Sequence, residues 1–375
     1  MRTRSTSFSS SPKTFSDLPI DIIETVIDDL ELLDKLSFRK VSKSIRSIVD
    51  NHKCENSSVL VHFDVDDSQI ELPMDNINYS DENGEPIYEV VKSSFDSDGY
   101  YTIKYKEKPR STDGEHWKQF IRDLSTFLCN PNWKFFGVLW EFDGDEDKLT
   151  PPDIHQKQIQ LIENMLKSTP LEVKALRILS TEHTAVMAIL PNVIPGSLEF
   201  LGLNSKNNGA KLEEVVKLEQ WKRLKRSFVQ TVPDSFDIEH FFHLERFKIA
   251  QIRISVDRLI KIRDILFKSP KFSNCTLLSK IEDQVNVDEN GEEITPLRAF
   301  VILINRIMGE HPEYNAVTRR YSIPDSDEYF SVYSYQRGGD TLKLEIKRQK
   351  NRRVDFGEDP SDDPIEELLK GRFGF

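Results

Sequence analysis

A chain of 375 residues has room for roughly two or three domains. With 38% hydrophobic and 30% charged residues it reads as a globular protein that faces water, and no apolar run reaches the ~18 residues of a membrane helix. Its formal net charge of −12 disfavours wholesale binding to nucleic acid, which needs Lys and Arg to displace counterions.

The first 13 residues, MRTRSTSFSSSPK, are Ser-rich and free of acids, and are expected to be a disordered tail. Phe15 to Asn51 follows as a helical unit. Leu18-Pro19 opens it, with the proline expected just inside the first helix. Ile20, Ile22, Ile23, Val26, Ile27 and Leu30 then cover an arc of roughly 160°, wider than the ~100° stripe of a surface helix. Leu32, Leu33 and Leu36 mark a second short segment. Phe38, Val41, Ile45, Ile48 and Val49 mark a third at spacings of three and four. So short a chain cannot bury a good core alone, and its surplus apolar surface calls for a partner.

Leu18-Pro19, the Ile-Ile step, Leu30, Leu36 and the Arg39-Lys40-Val41-Ser42-Lys43 run resemble an F-box. The resemblance implies a module that docks a Skp-type adaptor and, through it, a cullin ubiquitin ligase. The docking set it implies is Leu18, Pro19, Ile22, Ile23, Ile27, Leu30, Leu36 and Val41, shared between core and adaptor contacts.

The period then changes. Ser58–Asp64, Gln69–Leu72, Ile87–Val91 and Tyr100–Tyr105 read as strands, with turns at Asn83-Gly84 and Asp98-Gly99. From about Glu115, helices and strands alternate. Helices are expected over Trp117–Leu128, Ile154–Leu166, Thr184–Leu190, Leu212–Leu224, Ile238–Leu244 and from the Ser255 cap onward. In the last, Val256, Leu259, Ile260, Ile265 and Leu266 share the apolar face and Ile262 falls off it. Strands are expected over Trp133–Phe142, Ala175–Leu179, Ser197–Leu203, Arg226–Gln230, Arg246–Ile254 and Cys275–Leu278. Strand centres recurring every roughly 20–30 residues suit an irregular, leucine-rich-repeat-like α/β solenoid, although no regular L-x-x-L-x-L consensus occurs. A closed, doubly wound sheet is the rival, since it needs the same alternation.

Leu218-Glu219-Gln220-Trp221-Lys222, His240-Phe241-Phe242-His243-Leu244-Glu245-Arg246-Phe247, Ile254-Ser255 and Phe272-x-x-Cys275 are similar to the FTH domain, a domain of unknown function. It accompanies the F-box in the nematode F-box A family, and the similarity runs from about Leu149 to Leu278. After an acidic loop, Leu297–Met308 reads as a buried helix. Tyr329–Tyr335 and Leu342–Ile346 read as a hairpin, and the chain from Gln349 as a disordered tail.

The expected fold is therefore α+β: a small trihelical F-box, a β-rich connector and an irregular α/β region. The expected domains are a tail at 1–13, the F-box at 14–53, the connector at 54–110, the α/β region at 111–280, a helix plus hairpin at 281–348 and a tail at 349–375.

Candidate chemistry is sparse. The three cysteines, Cys54, Cys129 and Cys275, have no disulfide or zinc spacing and fit a reducing, intracellular compartment, nuclear or cytoplasmic. His240 and His243 stand at a helical i, i+3 spacing that suits metal, but no third ligand is well spaced and the flanking phenylalanines suggest a packed aromatic corner. Asp143-Gly144-Asp145-Glu146-Asp147 lacks the glycine and the glutamate of a calcium loop at their required positions. No phosphate loop, dinucleotide fingerprint or nucleophile elbow occurs. The Lys347–Arg353 basic cluster is followed at once by acids and reads as solvated.

No cofactor, metal or catalytic residue is expected. Together with the resemblance, this implies a non-enzymatic substrate receptor of a Skp–cullin–F-box ligase, with a Skp-type adaptor, an indirectly bound cullin and a protein target as partners. Two alternatives stand beside it: an adaptor-binding module acting outside a ligase, and an enzyme with a site in the α/β region.

Overall fold

The computed structural model describes residues 18–30, 32–64, 76–80, 86–93, 100–106, 121–122, 124–126, 128–142, 152–180, 183–204, 211–280, 295–308, 318–323, 326–337 and 341–350. The expected Gln69–Leu72 strand, the Asp143–Asp147 loop and both terminal tails up to 17 and from 351 lie outside them.

Three helices open the described chain: α1 (Ile20–Asp29), α2 (Leu32–Phe38) and α3 (Lys43–Asn51). Pro19 sits one place earlier than expected, at the N-cap of α1, where its carbonyl accepts from the N–H groups of Ile22 (3.1 Å) and Ile23 (3.3 Å). Ser42 caps α3 by accepting from the Ile45 N–H at 3.2 Å. Ile23, Ile27, Leu36, Ile45 and Val49 turn inward.

The strands form a single sheet: β1 (Cys54–Asp64), β2 (Asn76–Ser80), β3 (Pro86–Ser93), β4 (Tyr100–Lys106), β5 (Trp133–Glu141), β6 (Val173–Leu179), β7 (Phe200–Asn204), β8 (Arg226–Thr231), β9 (Arg246–Gln251), β10 (Asn274–Lys280), β11 (Thr318–Ser322), β12 (Glu328–Arg337) and β13 (Thr341–Lys350). Their order is β11-β12-β13-β10-β9-β8-β7-β6-β5-β1-β4-β3-β2. From β5 to β10 each strand lies parallel to the one before it, in sequence order and without reversal. β1 joins this parallel block between β5 and β4, so the strands after the F-box are continuous with the main sheet. Antiparallel strands close both ends.

Right-handed crossovers that advance always in one direction put every connection on one face of the sheet. A doubly wound sheet needs its strand order to reverse so that helices cover both faces, and no reversal occurs among β5 to β10. The helices α4 (Pro152–Ser168), α5 (His183–Ile189), α6 (Leu212–Val215), α7 (Glu219–Lys222), α8 (Val256–Asp264) and α9 (Pro296–Met308) accordingly share one core with alternate strand residues such as Leu176, Leu201, Val229, Ile249 and Leu277. The buried F-box residues belong to the same core.

Four expectations need correction. Leu212–Leu224 is two four-residue helices, broken at 216–218, and not one. Ile262 lies on the buried face of α8 with Leu259, while Val256, Ile260 and Ile265 are exposed. The anchor of that face is Arg258, whose buried guanidinium donates to the carbonyls of Arg253 (2.7 Å), Pro233 (2.7 Å), Asp234 (3.1 Å) and Phe236 (3.1 Å). This charged residue orients a helix that counting apolar positions turns the wrong way. α9 buries Phe300 and Ile304 but leaves Ile302 exposed, so it is covered on one side only. Finally, β13 continues through Gln349 and Lys350: Gln349 accepts from the Ser331 hydroxyl at 2.8 Å.

Candidate functional site

The eight residues of the expected docking set separate by position. Ile23, Ile27 and Leu36 are buried, and Leu30 is half-buried at the end of α1. Leu18, Pro19, Ile22 and Val41 face outward, and Ile20, which the docking set omitted, joins them. The exposures of the large apolar members are 39% for Leu18, 55% for Ile20, 49% for Ile22 and 59% for Val41. The signal for Ile20 was present in the width of the apolar arc on α1. An arc wider than one packing interface leaves residues over, and Ile20 is one of them.

Polar contacts hold these helices in place. Arg39 forms a two-pronged salt bridge with Asp50, its second prong at 3.0 Å, and ties the turn after α2 to α3. His52 meets Asp28 at 2.8 Å and ties the end of α3 to α1. The last carbonyls of a helix lack i+4 N–H partners, and in α3 the Val49 carbonyl also accepts from the His52 N–H at 3.3 Å. Asn130 and Asn132 donate to the Asp50 carbonyl at 2.9 and 3.2 Å, and the Trp133 indole donates to that of Val49 at 3.4 Å. These three residues come from the turn that leads into β5, so the helical unit is bonded directly to the sheet.

The second set of motif residues behaves differently. Trp221 is buried edge-on to Phe241 at 5.3 Å between ring centroids. Phe241 meets Phe247 at 5.3 Å, and Phe247 meets Phe272 at 6.2 Å. The Trp221 indole donates to the His240 carbonyl at 3.1 Å, and a His243 ring nitrogen lies 2.9 Å from the Trp221 carbonyl. Gln220 donates to the carbonyls of Pro191 (3.1 Å) and Val193 (2.7 Å). Ser255 caps α8. These residues build an aromatic spine under the parallel strands. The two histidines are part of it, and among the described residues no group of three His, Cys, Asp or Glu side chains gathers around a metal position.

The thiols are poorly placed for nucleophilic work. Burial pushes Cys129 up to about 11, although a hydrogen bond with Ser125 opposes it, and burial pushes Cys275 higher still. Both are protonated at neutral pH, and a thiol without its thiolate is a weak nucleophile. The basic cluster is in part internally neutralised: Arg348 pairs with Glu328 at 2.6 Å and Lys347 with Glu345 at 3.2 Å. No helix among the described residues is long and apolar enough to cross a membrane.

Comparison with known proteins meets the geometry at this point. Residues 15–56 match the F-box domain and residues 156–290 match the FTH domain. A C. elegans relative, F-box A protein 224, is 26% identical over 279 residues, covering 74% of this chain and 69% of its own length. The chain is similar to the nematode F-box A family in both matched domains. F-box domains in general bind Skp-type adaptors in the setting of ubiquitin ligases, and both matched domains are interaction modules rather than catalytic ones. In this chain Leu18, Pro19, Ile20, Ile22 and Val41 are the outward docking candidates, and the aromatic residues of the FTH motif are internal framework.

Proposed function

We propose that this protein is the substrate-receptor subunit of a Skp–cullin–F-box ubiquitin ligase. The reading rests on one observation: Leu18, Ile20, Ile22 and Val41 are large apolar side chains left exposed on a helical unit whose Ile23, Ile27, Leu36, Ile45 and Val49 are buried. Exposed apolar groups gathered on so small a unit are the centre of an interface in waiting. In this reading Leu18, Pro19, Ile20, Ile22 and Val41 meet the adaptor. Ile23, Ile27 and Leu36 hold them up from below, with Leu30 at the boundary.

The α/β region takes the target protein. The unreversed strand order supports a leucine-rich-repeat-like solenoid, a shape with one broad sheet face free of helices. The mechanism is proximity. Holding a target and a charged conjugating enzyme on one scaffold raises their effective concentration without any reacting group from this chain. The hydrogen bonds from Asn130, Asn132 and Trp133 to α3 favour a fixed span between the two ends.

Co-purification from cells tests the reading. The wild-type chain is expected to bring down both adaptor and cullin, and Leu18→Ala combined with Pro19→Ala to bring down neither. Adaptor without cullin would move the protein to the role of an interaction module outside a ligase. Adaptor retained by the double variant would sink the docking assignment.

A further inference from the structure

The sheet face opposite the main core has its own composition. Directly opposed residues on neighbouring strands share a face. The register therefore puts Phe200, Arg226, Arg246, Lys347 and Arg320 in one row across β7, β8, β9, β13 and β11. The adjacent row carries Arg177, Phe228, Lys248, Glu345 and Tyr333. Lys343 lies beside Tyr335 in a third. Ala175, Phe200 and Phe228 form an apolar cluster separate from the main core. On the described strands β6 to β13, Glu345 is the one carboxylate of this face, and it is bridged by Lys343 (3.3 Å) and Lys347 (3.2 Å).

The cations are held in place by rings. The Arg177 guanidinium stands 5.3 Å from the Phe228 ring centroid and the Lys248 ammonium 5.8 Å from the same ring. Arg320 lies 4.5 Å over Tyr329 and Lys343 5.1 Å over Tyr335. Such stacking fixes a charged head at low entropic cost. Gly202 makes room for it: a Cβ there would come within 2.9 Å of the Arg177 Cγ. Across the two rows the heads run from buried at Arg177, through half-buried at Lys248, to 44% exposed at Lys347.

We infer that this face receives an acid-rich segment of a partner protein. The inference deepens the receptor reading above and rests on it, since it names the chemistry of the target. Charge complementarity carries it. A chain with a net charge of −12 repels acidic partners over most of its surface and attracts them where cations are concentrated. A nucleic acid carries the same sign of charge, and the oligo-dT probe below separates it from an acidic peptide.

Fluorescence anisotropy on the full chain tests it, with a labelled Glu–Ser repeat peptide, its Gln–Ser counterpart and oligo-dT as probes. The Glu–Ser peptide is expected to bind, more weakly as salt rises. Lys248→Glu with Lys347→Glu is expected to weaken it roughly tenfold or more, while adaptor capture is retained. Equal binding of the Gln–Ser peptide, preference for oligo-dT, or an unchanged affinity in the charge-reversed variant each overturns the proposal. So does binding that appears only after Asp362, Asp363, Glu366 and Glu367 are neutralised, which would make the chain's own acidic stretch the occupant. Peptide binding that persists while the wild-type chain fails to capture adaptor would remove the receptor reading and leave the acidic-segment site standing.

Discussion

The two matched domains use their motif residues in opposite ways. In the F-box, residues that define the resemblance are divided between core and surface: Ile27 is fully buried while Ile22 and Val41 stand in solvent. In the FTH domain the aromatic ones turn inward, and Trp221, Phe241, Phe247 and Phe272 stack into one spine. A motif in the first case leaves apolar side chains in solvent, and in the second its aromatic residues build a folding framework. The cations that mark the open face of the sheet, such as Arg177, Lys248 and Lys347, lie outside the FTH motif positions, apart from Arg246.

Substitutions can break or sharpen that contrast. The largest effect is expected for Trp221→Ala, which removes a buried indole and its hydrogen bond to the His240 carbonyl and should cost about 3–5 kcal/mol, read as a lowered denaturant midpoint. Ile20→Ser with Ile22→Ser deletes comparable apolar area from the other domain. Because that area is exposed, the midpoint should hold while adaptor capture is lost. If the two variants gave the same pattern, the distinction between framework and surface would fail.

Arg258→Met is expected to destabilise by about 3 kcal/mol, since four carbonyls, that of Phe236 buried, lose a charged donor together. Chemical denaturation of the full chain measures it, and a loss below about 0.5 kcal/mol would show that the guanidinium is not what orients α8.

A smaller effect is expected at the joint between the two regions. Asn130→Ala with Asn132→Ala should cost about 1–2 kcal/mol. Faster amide exchange should appear at the end of α3 before anywhere in β6 to β10. Uniform acceleration across the sheet would contradict a local joint.

The smallest is a pH effect at Cys129. Its folded pKa is raised from 9.0 to about 11, so the folded state favours the neutral thiol. The stability this gives is complete below pH 9 and is lost as pH rises towards 11. Alkylation of Cys129 in the native chain should therefore be slow at pH 8 and quicken through that window. Rapid labelling at pH 7 would reopen the case for a reactive thiol.

Local signals were legible where a short-range rule decides the outcome. The Ser255 cap and the strand-forming apolar runs depend on neighbours a few residues away. Expectations failed where a distant group intervened. The face of α8 was misread because Arg258 satisfies carbonyls about twenty residues earlier, which no apolar periodicity reveals. The Leu212–Leu224 pattern read as one helix, yet Gln220 is drawn to the carbonyls of Pro191 and Val193, and the segment breaks to deliver it.

The docking set shows the same limit at the level of the site. The chain itself determined that Phe15–Asn51 holds more apolar surface than it can bury, because the arc on α1 is wider than one interface. It also determined the strand–helix alternation, because periods of two and 3.6 residues are written locally. Only the tertiary structure decided which isoleucines point out, since Ile22 and Ile23 are neighbours in sequence and differ in fate solely through what packs against α1. Only it decided that the strands advance without reversal, because strand order is a long-range pairing. That unreversed order lines the cations of β6, β8, β9 and β13 along one face, opposite the core shared with the helices.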